Sequence, residues 1–336
     1  SDWPDSARTY LPGGRAPGVG EIFKNPDLGW SYRQIAQHGR DAFYTGEIAK
    51  RIVAFSKANG GYFSSKDFVD HHGDWIDPVS TNYRGYDIWE LPPNGQGIAA
   101  LQMLNVLEHL DLRNHPRYSA RNLHVLTETM KRAFCDRARH LGDSDFVDIP
   151  THLVTKSYAA KLAGGIDLEK ATPSQKLAPE IQIADESPQT THFSVVDSRG
   201  MAVSNTTTLE GSWGAKIVVR GAGFVLNNEM GDFNWFPGHT DRRGRIGTPA
   251  NRIRPRKRML SSQAPTIVAR NGHPVLVTGS PGGRTIINTV LMTILNVVDF
   301  GMNIQEAVDA PRLHHQWLPD EIRIEDGISP DTIALL

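Results

Sequence analysis

Across residues 170–188 the apolar period of this chain changes, and that switch constrains the fold more than any other feature. Before it, the spacing is helical. Residues 46–59 put Ile48, Ile52 and Phe55 on one face, and residues 97–110 do the same with Ile98, Leu101, Leu104 and Leu107. Residues 119–141 form a third long helical pattern, which carries Cys135 as a small apolar core residue. A short helix is expected over 33–39, and Ser65-Lys66-Asp67 can start another turn. The exception is 83–91, where alternation through Tyr86, Ile88 and Trp89 predicts one strand, ended by Pro92-Pro93. Residues 1–30, with Pro12-Gly13-Gly14 and Pro17-Gly18, read as irregular. The switch segment is rich in Pro, Ser, Gln and charge and reads as a linker or exposed loop.

After it, strands take over. Residues 191–197 and 201–208 flank the turn Asp197-Ser198-Arg199-Gly200, and residues 265–269 and 274–277 flank Asn271-Gly272, a strong hairpin signal. Two short strands are expected at 216–219 and 223–226. Gly279-Ser280-Pro281-Gly282-Gly283 then leads into an apolar helix over 285–299. No internal repeat is visible. A helical first half and a hairpin-rich second half predict an α+β fold with helices on the outer faces of sheets.

Composition narrows the function. With 36 basic and 37 acidic side chains, no global field draws the chain to nucleic acid or a membrane surface. Hydrophobic residues at 39% suffice for a packed core. A length of 336 residues allows about two domains, or one large two-layer domain. A single cysteine excludes an internal disulfide framework and a thiolate zinc cage. The longest apolar stretch, 286–300, contains Asn288, Asn296 and Asp299 and is too short to cross a bilayer. Ser1-Asp2-Trp3-Pro4 is neither basic nor apolar, so no signal peptide is expected here.

Four constellations bear on chemistry. The 279–283 turn, between a strand and a helix, can present backbone N–H groups to an anion, as an oxyanion hole or a carboxylate cradle, or it is a tight turn that needs small residues. With no Lys-Ser/Thr after the glycines it is not a nucleotide P-loop, which ranks a phosphate binder last. The basic run Arg242, Arg243, Arg245, Arg252, Arg254, Arg256, Lys257 and Arg258 has no interleaved aromatic to stack on bases and reads as a solvated loop over a site. His71-His72 and His314-His315 are adjacent pairs whose side chains point to opposite faces of a strand, so they read as structural and no metal site is expected. Finally, Gln189-Thr190-Thr191-His192-Phe193 places a hydroxyl between a linker and a strand. A cut before Thr190 would give one residue both a hydroxyl and an α-amine of pKa about 8, a nucleophile with its own base, although Thr-Thr in a strand is also ordinary.

The residues from Thr190 to Asp197 resemble the start of the small subunit of γ-glutamyltranspeptidases, self-cleaving N-terminal-nucleophile hydrolases. The resemblance continues through Leu226-Asn227-Asn228-Glu229-Met230-Gly231-Asp232-Phe233, Ser261-Ser262-Gln263-Ala264-Pro265-Thr266, Thr278-Gly279-Ser280-Pro281-Gly282-Gly283 and Ala310-Pro311-Arg312-Leu313-His314-His315-Gln316-Trp317. Upstream, Tyr83-Arg84-Gly85-Tyr86 and Pro92-Pro93 resemble the family's large subunit. The resemblance implies a four-layer αββα sandwich, with 1–189 as the C-terminal part of a mainly helical large-subunit-like region and 190–336 as the hairpin-rich small-subunit-like region.

It also implies roles. Thr190 is the nucleophile, released by cleavage after Gln189, and Thr208 holds it. Glu229 and Asp232 bind the α-amino group of the γ-glutamyl substrate, Ser261 and Ser262 its α-carboxylate, and the Gly282 and Gly283 amides form the oxyanion hole. Glu210 stands near the substrate amine, where many relatives place Asn, and adds charge there. The implied reaction passes the acyl group of a γ-glutamyl amide such as glutathione to water or to an amino-acid or peptide acceptor, with no metal or organic cofactor. The partners implied are that small-molecule substrate, the acceptor, and the two self-cleavage pieces with each other; no nucleic acid or membrane span is expected. The family's N-terminal region, with an arginine that clamps the α-carboxylate, and a C-terminal segment are expected to be absent from this stretch. The alternatives are an inactive fragment or uncut precursor, or a relative acting on other amides, such as a β-lactam side chain or poly-γ-glutamate. A periplasmic or secreted location follows from the resemblance alone, with the cytoplasm left open.

Overall fold

The computed structural model describes residues 3–178, 189–234 and 248–336, whose contacts divide into two units: Ser1–Ile76 with Gly211–Asn228, and Asp77–Glu210 with Glu229–Leu336.

The first unit contains α1 (Pro4–Tyr10), α2 (Pro26–His38), α3 (Arg40–Tyr44), α4 (Glu47–Ala58) and α5 (Ser65–Val69). Residues 1–30 are therefore less irregular than their Pro and Gly content suggests. Pro4 and Pro26 sit in the first helical turn, where a missing N–H costs nothing, and the Asn25 side chain accepts from the Leu28 N–H at 3.0 Å to cap α2. Ile48 and Ile52, one turn apart on α4, are buried with Ala42, Val219 and Ala222 in a small core. The strands expected at 216–219 and 223–226 reduce to a single bridge between Val218 and Val225. Gly221 and Gly223, at φ 73° and 78°, turn the chain before a ladder can extend.

The second unit opens with β1 (Val79–Tyr83) and β2 (Tyr86–Glu90); the strand predicted over 83–91 corresponds to β2, and the sequence pattern does not predict β1. Arg84 and Gly85, at φ 52° and 84°, form a two-residue turn that alternation alone does not reveal. Then come α6 (Gly97–Leu107), α7 (Ala120–His140), α8 (Lys156–Gly164), α9 (Ser174–Leu177), β3 (Gln189–Val196), β4 (Ala202–Glu210), β5 (Thr266–Arg270) and β6 (His273–Thr278). The unit closes with α10 (Thr285–Val298), α11 (Ile304–Asp309), β7 (Leu313–His314), β8 (Arg323–Ile324) and α12 (Pro330–Ala334). The described strands form an antiparallel sheet in the order β1-β2-β5-β6 and two ribbons, β3-β4 and β7-β8, an α+β architecture.

Every residue of α6 is buried, and the helix packs on β1, β2, α7, α8 and α10. Its Leu101, Leu104 and Leu107 join Tyr83 and Ile88 of the sheet, Met130 and Phe134 of α7 and Ile287 and Leu291 of α10 in one core. Cys135 is buried in the same core. The switch segment is not simply an exposed loop. Ser174 of α9 is fully buried, and its N–H and hydroxyl both donate to the Asp320 carboxylate, at 2.9 and 2.6 Å. Residues 179–188 lie outside the described residues.

Candidate active site

The ribbon β3-β4 presents the candidate nucleophile. Strand side chains alternate between faces, so Thr190, His192 and Ser194 share one face. Opposite them in the register stand Thr208, Thr206 and Ser204. All six are hydroxyl or imidazole groups. The register shifts between Gln189 and Thr190, so an irregularity of the β-bulge type falls on the link between those two residues.

Around Thr190 three of the expected residues come together. Its hydroxyl lies 3.4 Å from the Thr208 hydroxyl, a long contact, and the Thr208 oxygen accepts the Glu210 N–H at 2.8 Å. Glu210 has φ 71°, in the left-handed region where Asn is better tolerated than Glu. Glu229 opens a 3₁₀ turn, Glu229–Asp232, that packs against β4, and Asp232 closes it. Burial pushes the Glu229 carboxyl above its ordinary value; a hydrogen bond from Thr208 opposes this, and the nearby Glu210 charge adds to it. The Asp232 carbonyl accepts from the Asn251 side chain at 2.6 Å, which ties the turn to the segment that follows residue 248.

Ser261 and Ser262 are both buried. Ser261 bridges Gly95, and its N–H donates to the Asn94 carbonyl at 3.0 Å, so the loop after Pro92-Pro93 supports this segment. Gly282 and Gly283 lie between β6 and α10 with φ 132° and 58°. Their carbonyls accept the first N–H groups of the helix, from Thr285 and Ile286 at 3.2 and 3.1 Å. Among the described residues their own amides donate no hydrogen bond. The glycine turn is fastened to the ribbon, because the Ser194 hydroxyl donates to the Val277 carbonyl at 3.1 Å and the Ser204 hydroxyl to the Thr278 carbonyl at 2.9 Å.

Other expectations resolve differently. Arg242, Arg243 and Arg245 lie outside the described residues. The rest of the basic run is not uniformly solvated: Lys257 is buried, its Nζ donating to the Ala250 carbonyl at 2.6 Å, and Arg258 pairs with Asp145 at 3.2 Å. His314 and His315 are buried structural groups. His314 Nδ1 meets the Asn288 amide at 2.7 Å, and His315 Nε2 stands 3.3 Å from Asp320. Burial pushes His314 down to about 4. His71 stacks on Tyr44 at 5.3 Å and His72 lies 3.4 Å from Asp74. Among the described residues no three His, Cys, Asp or Glu side chains converge as a metal site, and no helix is long and apolar enough to cross a membrane. Sequence reasoning gave no role to His192, Ser194, Ser204 or Thr206, although their spacing of two from Thr190 and Thr208 was a visible signal.

Comparison with known proteins identifies the family. A family model described as Gamma-glutamyltranspeptidase matches residues 1–336. The glutathione hydrolase proenzyme of Escherichia coli K12 is 44% identical over 94% of this chain and 55% of its own length. The acylase ACY 1 proenzyme of Pseudomonas sp. SE83 is 34% identical over 98% of this chain and 57% of its own. Among solved structures, a cephalosporin acylase from Bacillus halodurans matches with a TM-score of 0.83 and 28% identity, covering 98% of this chain and 57% of that one. The chain thus spans a little over half the length of these relatives. The matched family model and the identity to the E. coli protein place this chain in the γ-glutamyltranspeptidase family.

Proposed function

We propose that this chain carries the catalytic half of a self-processing γ-glutamyl acyltransferase or hydrolase, with Thr190 as its nucleophile. The observation that carries the reading is the pairing of the Thr190 hydroxyl with Thr208, whose oxygen also takes the Glu210 N–H beside the buried Glu229. In the precursor, Thr190 Oγ attacks the carbonyl carbon of residue 189. The C–N bond breaks, the Thr190 nitrogen leaves as an amine, and water hydrolyses the resulting ester. The new α-amine then takes the Thr190 hydroxyl proton as Oγ attacks a γ-glutamyl amide. The leaving amine departs with a proton, and water or an acceptor amine resolves the acyl-enzyme.

The other roles follow from charge. Glu229 and Asp232, with Glu210 near them, suit the substrate's α-ammonium, Ser261 and Ser262 suit its α-carboxylate, and the Gly282 and Gly283 amides suit a tetrahedral oxyanion. One such oxyanion donor is typically worth about 3 kcal/mol in the transition state. The donor is a glutathione-like γ-glutamyl amide. The acylase relatives favour a second reading, in which the donor is another amide such as a β-lactam side chain. We further infer that the fold is the four-layer αββα sandwich of N-terminal-nucleophile hydrolases, that the 189/190 link divides two pieces, and that the protein works in the periplasm or outside the cell.

Denaturing electrophoresis with N-terminal sequencing tests the reading. The expected result is two pieces that part at residue 190 and a Thr190→Ala variant that stays whole. A wild-type chain that remains one band and releases no chromophore from a γ-glutamyl anilide refutes it. Release from a glutaryl anilide in place of the γ-glutamyl one favours the second reading.

A further inference from the structure

We propose that His192 is a positioning residue that fixes the 279–283 glycine turn against the strand carrying Thr190, and so sets the distance between the nucleophile and the oxyanion-binding amides. The inference rests on the function proposed above and assigns a residue to it that the substrate-binding roles leave unused.

Thr190 and His192 share a face of β3, two positions apart. The imidazole is held at both nitrogens, with Nδ1 2.9 Å from the Thr206 hydroxyl and Nε2 3.1 Å from the Ser194 hydroxyl. Ser194 spends its only proton on the Val277 carbonyl, so its oxygen accepts from His192. The ring is therefore assigned as the neutral Nε2–H tautomer, with Nδ1 accepting from Thr206. Partial burial, which lowers the imidazole's proton affinity, agrees with that state.

The flat ring lies directly against Gly279. A Cβ at residue 279 would fall inside the imidazole, closer than real Cβ contacts come. The usual escape, a neighbouring side chain swinging aside, is blocked, because doing so breaks both hydrogen bonds of the ring. His192 therefore acts as a spacer. Its edges are pinned to β3 and β4, its body meets the first residue of the turn, and Ser194 and Ser204 clamp the strand that feeds the turn. Gly282 and Gly283 follow only three and four residues later, so a shift at Gly279 carries to the amides. Misplacement by about 1 Å can cost roughly 100-fold in rate.

The test compares His192→Ala, His192→Asn, Gly279→Ala and the double variant H192A/G279A in the self-processed protein. It reads kcat and KM for a γ-glutamyl anilide per processed molecule, together with the midpoint of thermal unfolding. His192→Ala is expected to lose 10- to 100-fold in kcat with KM within about twofold. His192→Asn, whose amide oxygen can still accept from Thr206, should recover part of that loss. Gly279→Ala should lose both activity and unfolding midpoint, and should cost markedly less when residue 192 is already Ala. The inference is overturned if every His192 variant that folds turns over like wild type, or if Gly279→Ala costs the same in both backgrounds. A wild-type chain that neither cuts itself nor turns over the anilide would sink the functional reading first, and this inference with it.

Discussion

Glu90→Gln tests the energetics of the sheet that supports the candidate site. Glu90 ends β2, is 2% exposed, and accepts a short hydrogen bond from the Thr266 hydroxyl on β5. Its other oxygen has no hydrogen-bond partner among the described residues. It lies so close to Gly97 that a Cβ there would overlap the carboxyl. Burial pushes this carboxyl up to about 8. The folded state therefore holds a proton that the unfolded chain has released above about 4.3. The sign follows: stability is greatest below the unfolded value, falls as pH rises, and levels off above about 8. Each unit of pH in that range costs about 1.4 kcal/mol.

Buried His314 at about 4 and His315, and half-buried His140 and His192, all lowered by desolvation, act below the ordinary histidine value of about 6.5. From pH 6.5 to 8 the Glu90 contribution is thus about 2 kcal/mol, and Glu90→Gln removes it. Urea unfolding of both proteins at the two pH values, followed by tryptophan fluorescence, should show the variant gaining about 2 kcal/mol on wild type over that interval. Glu229, also raised, is present in both proteins and cancels in the difference. Parallel pH dependences in the two proteins would refute the account of Glu90 as a protonated core residue.

Other expected outcomes concern the site and its supports. Because Glu229 sits above the ordinary carboxylate range, KM for a γ-glutamyl anilide should begin to rise at a higher pH than an ordinary carboxylate would give as the solution is acidified, and Glu229→Gln should raise KM and remove that limb. Thr208→Val takes away the acceptor of the Glu210 N–H and the contact with Thr190, and should slow both cleavage and turnover by roughly 10- to 100-fold, read by gel and by chromophore release. Asp320→Asn weakens its bonds to Ser174 and should cost about 1–3 kcal/mol in urea unfolding at neutral pH. The Asp320 carboxyl is held well below the ordinary range, so that difference should hold down to about pH 4 and shrink only as pH falls further toward the folded value. Leu104→Ala, in the middle of the buried α6, should cost about 2–5 kcal/mol in the same assay.

Much of this architecture was legible in the residues. The Asn271-Gly272 turn adopts φ 51° and 77° between β5 and β6, as the dipeptide implies, and α6, α7 and α10 fall within a few residues of their apolar patterns. The paired strands around Asp197 were equally clear. What the residues concealed has a physical cause in each case. The Arg84-Gly85 turn carries no second turn residue to mark it, so the strand expected over 83–91 overran it, and β1 upstream was not expected. Pro4 and Pro26 begin helices where a count of prolines suggests loop. Lys257 looked like part of a charged surface run because its acceptor, the Ala250 carbonyl, is a backbone group that composition cannot show. In the site, the identities of Thr190, Thr208 and Glu229 came from motif resemblance. The hydroxyl row that fastens them to the glycine turn depends on cross-strand register and became apparent only in three dimensions.

The irregular register at the 189/190 link bears on what happens after a cut there. A regular ladder would grip the severed end on both sides and tend to hold the new carboxylate beside the new amine, inviting religation. Among the described residues, Gln189 pairs with Glu210 one position out of step with the regular pairs that begin at Thr190 and Thr208. On the cleavage proposed above, that slipped pair is a poorer template than an in-register one for rejoining the new carboxylate to the Thr190 amine, which disfavours the reverse step.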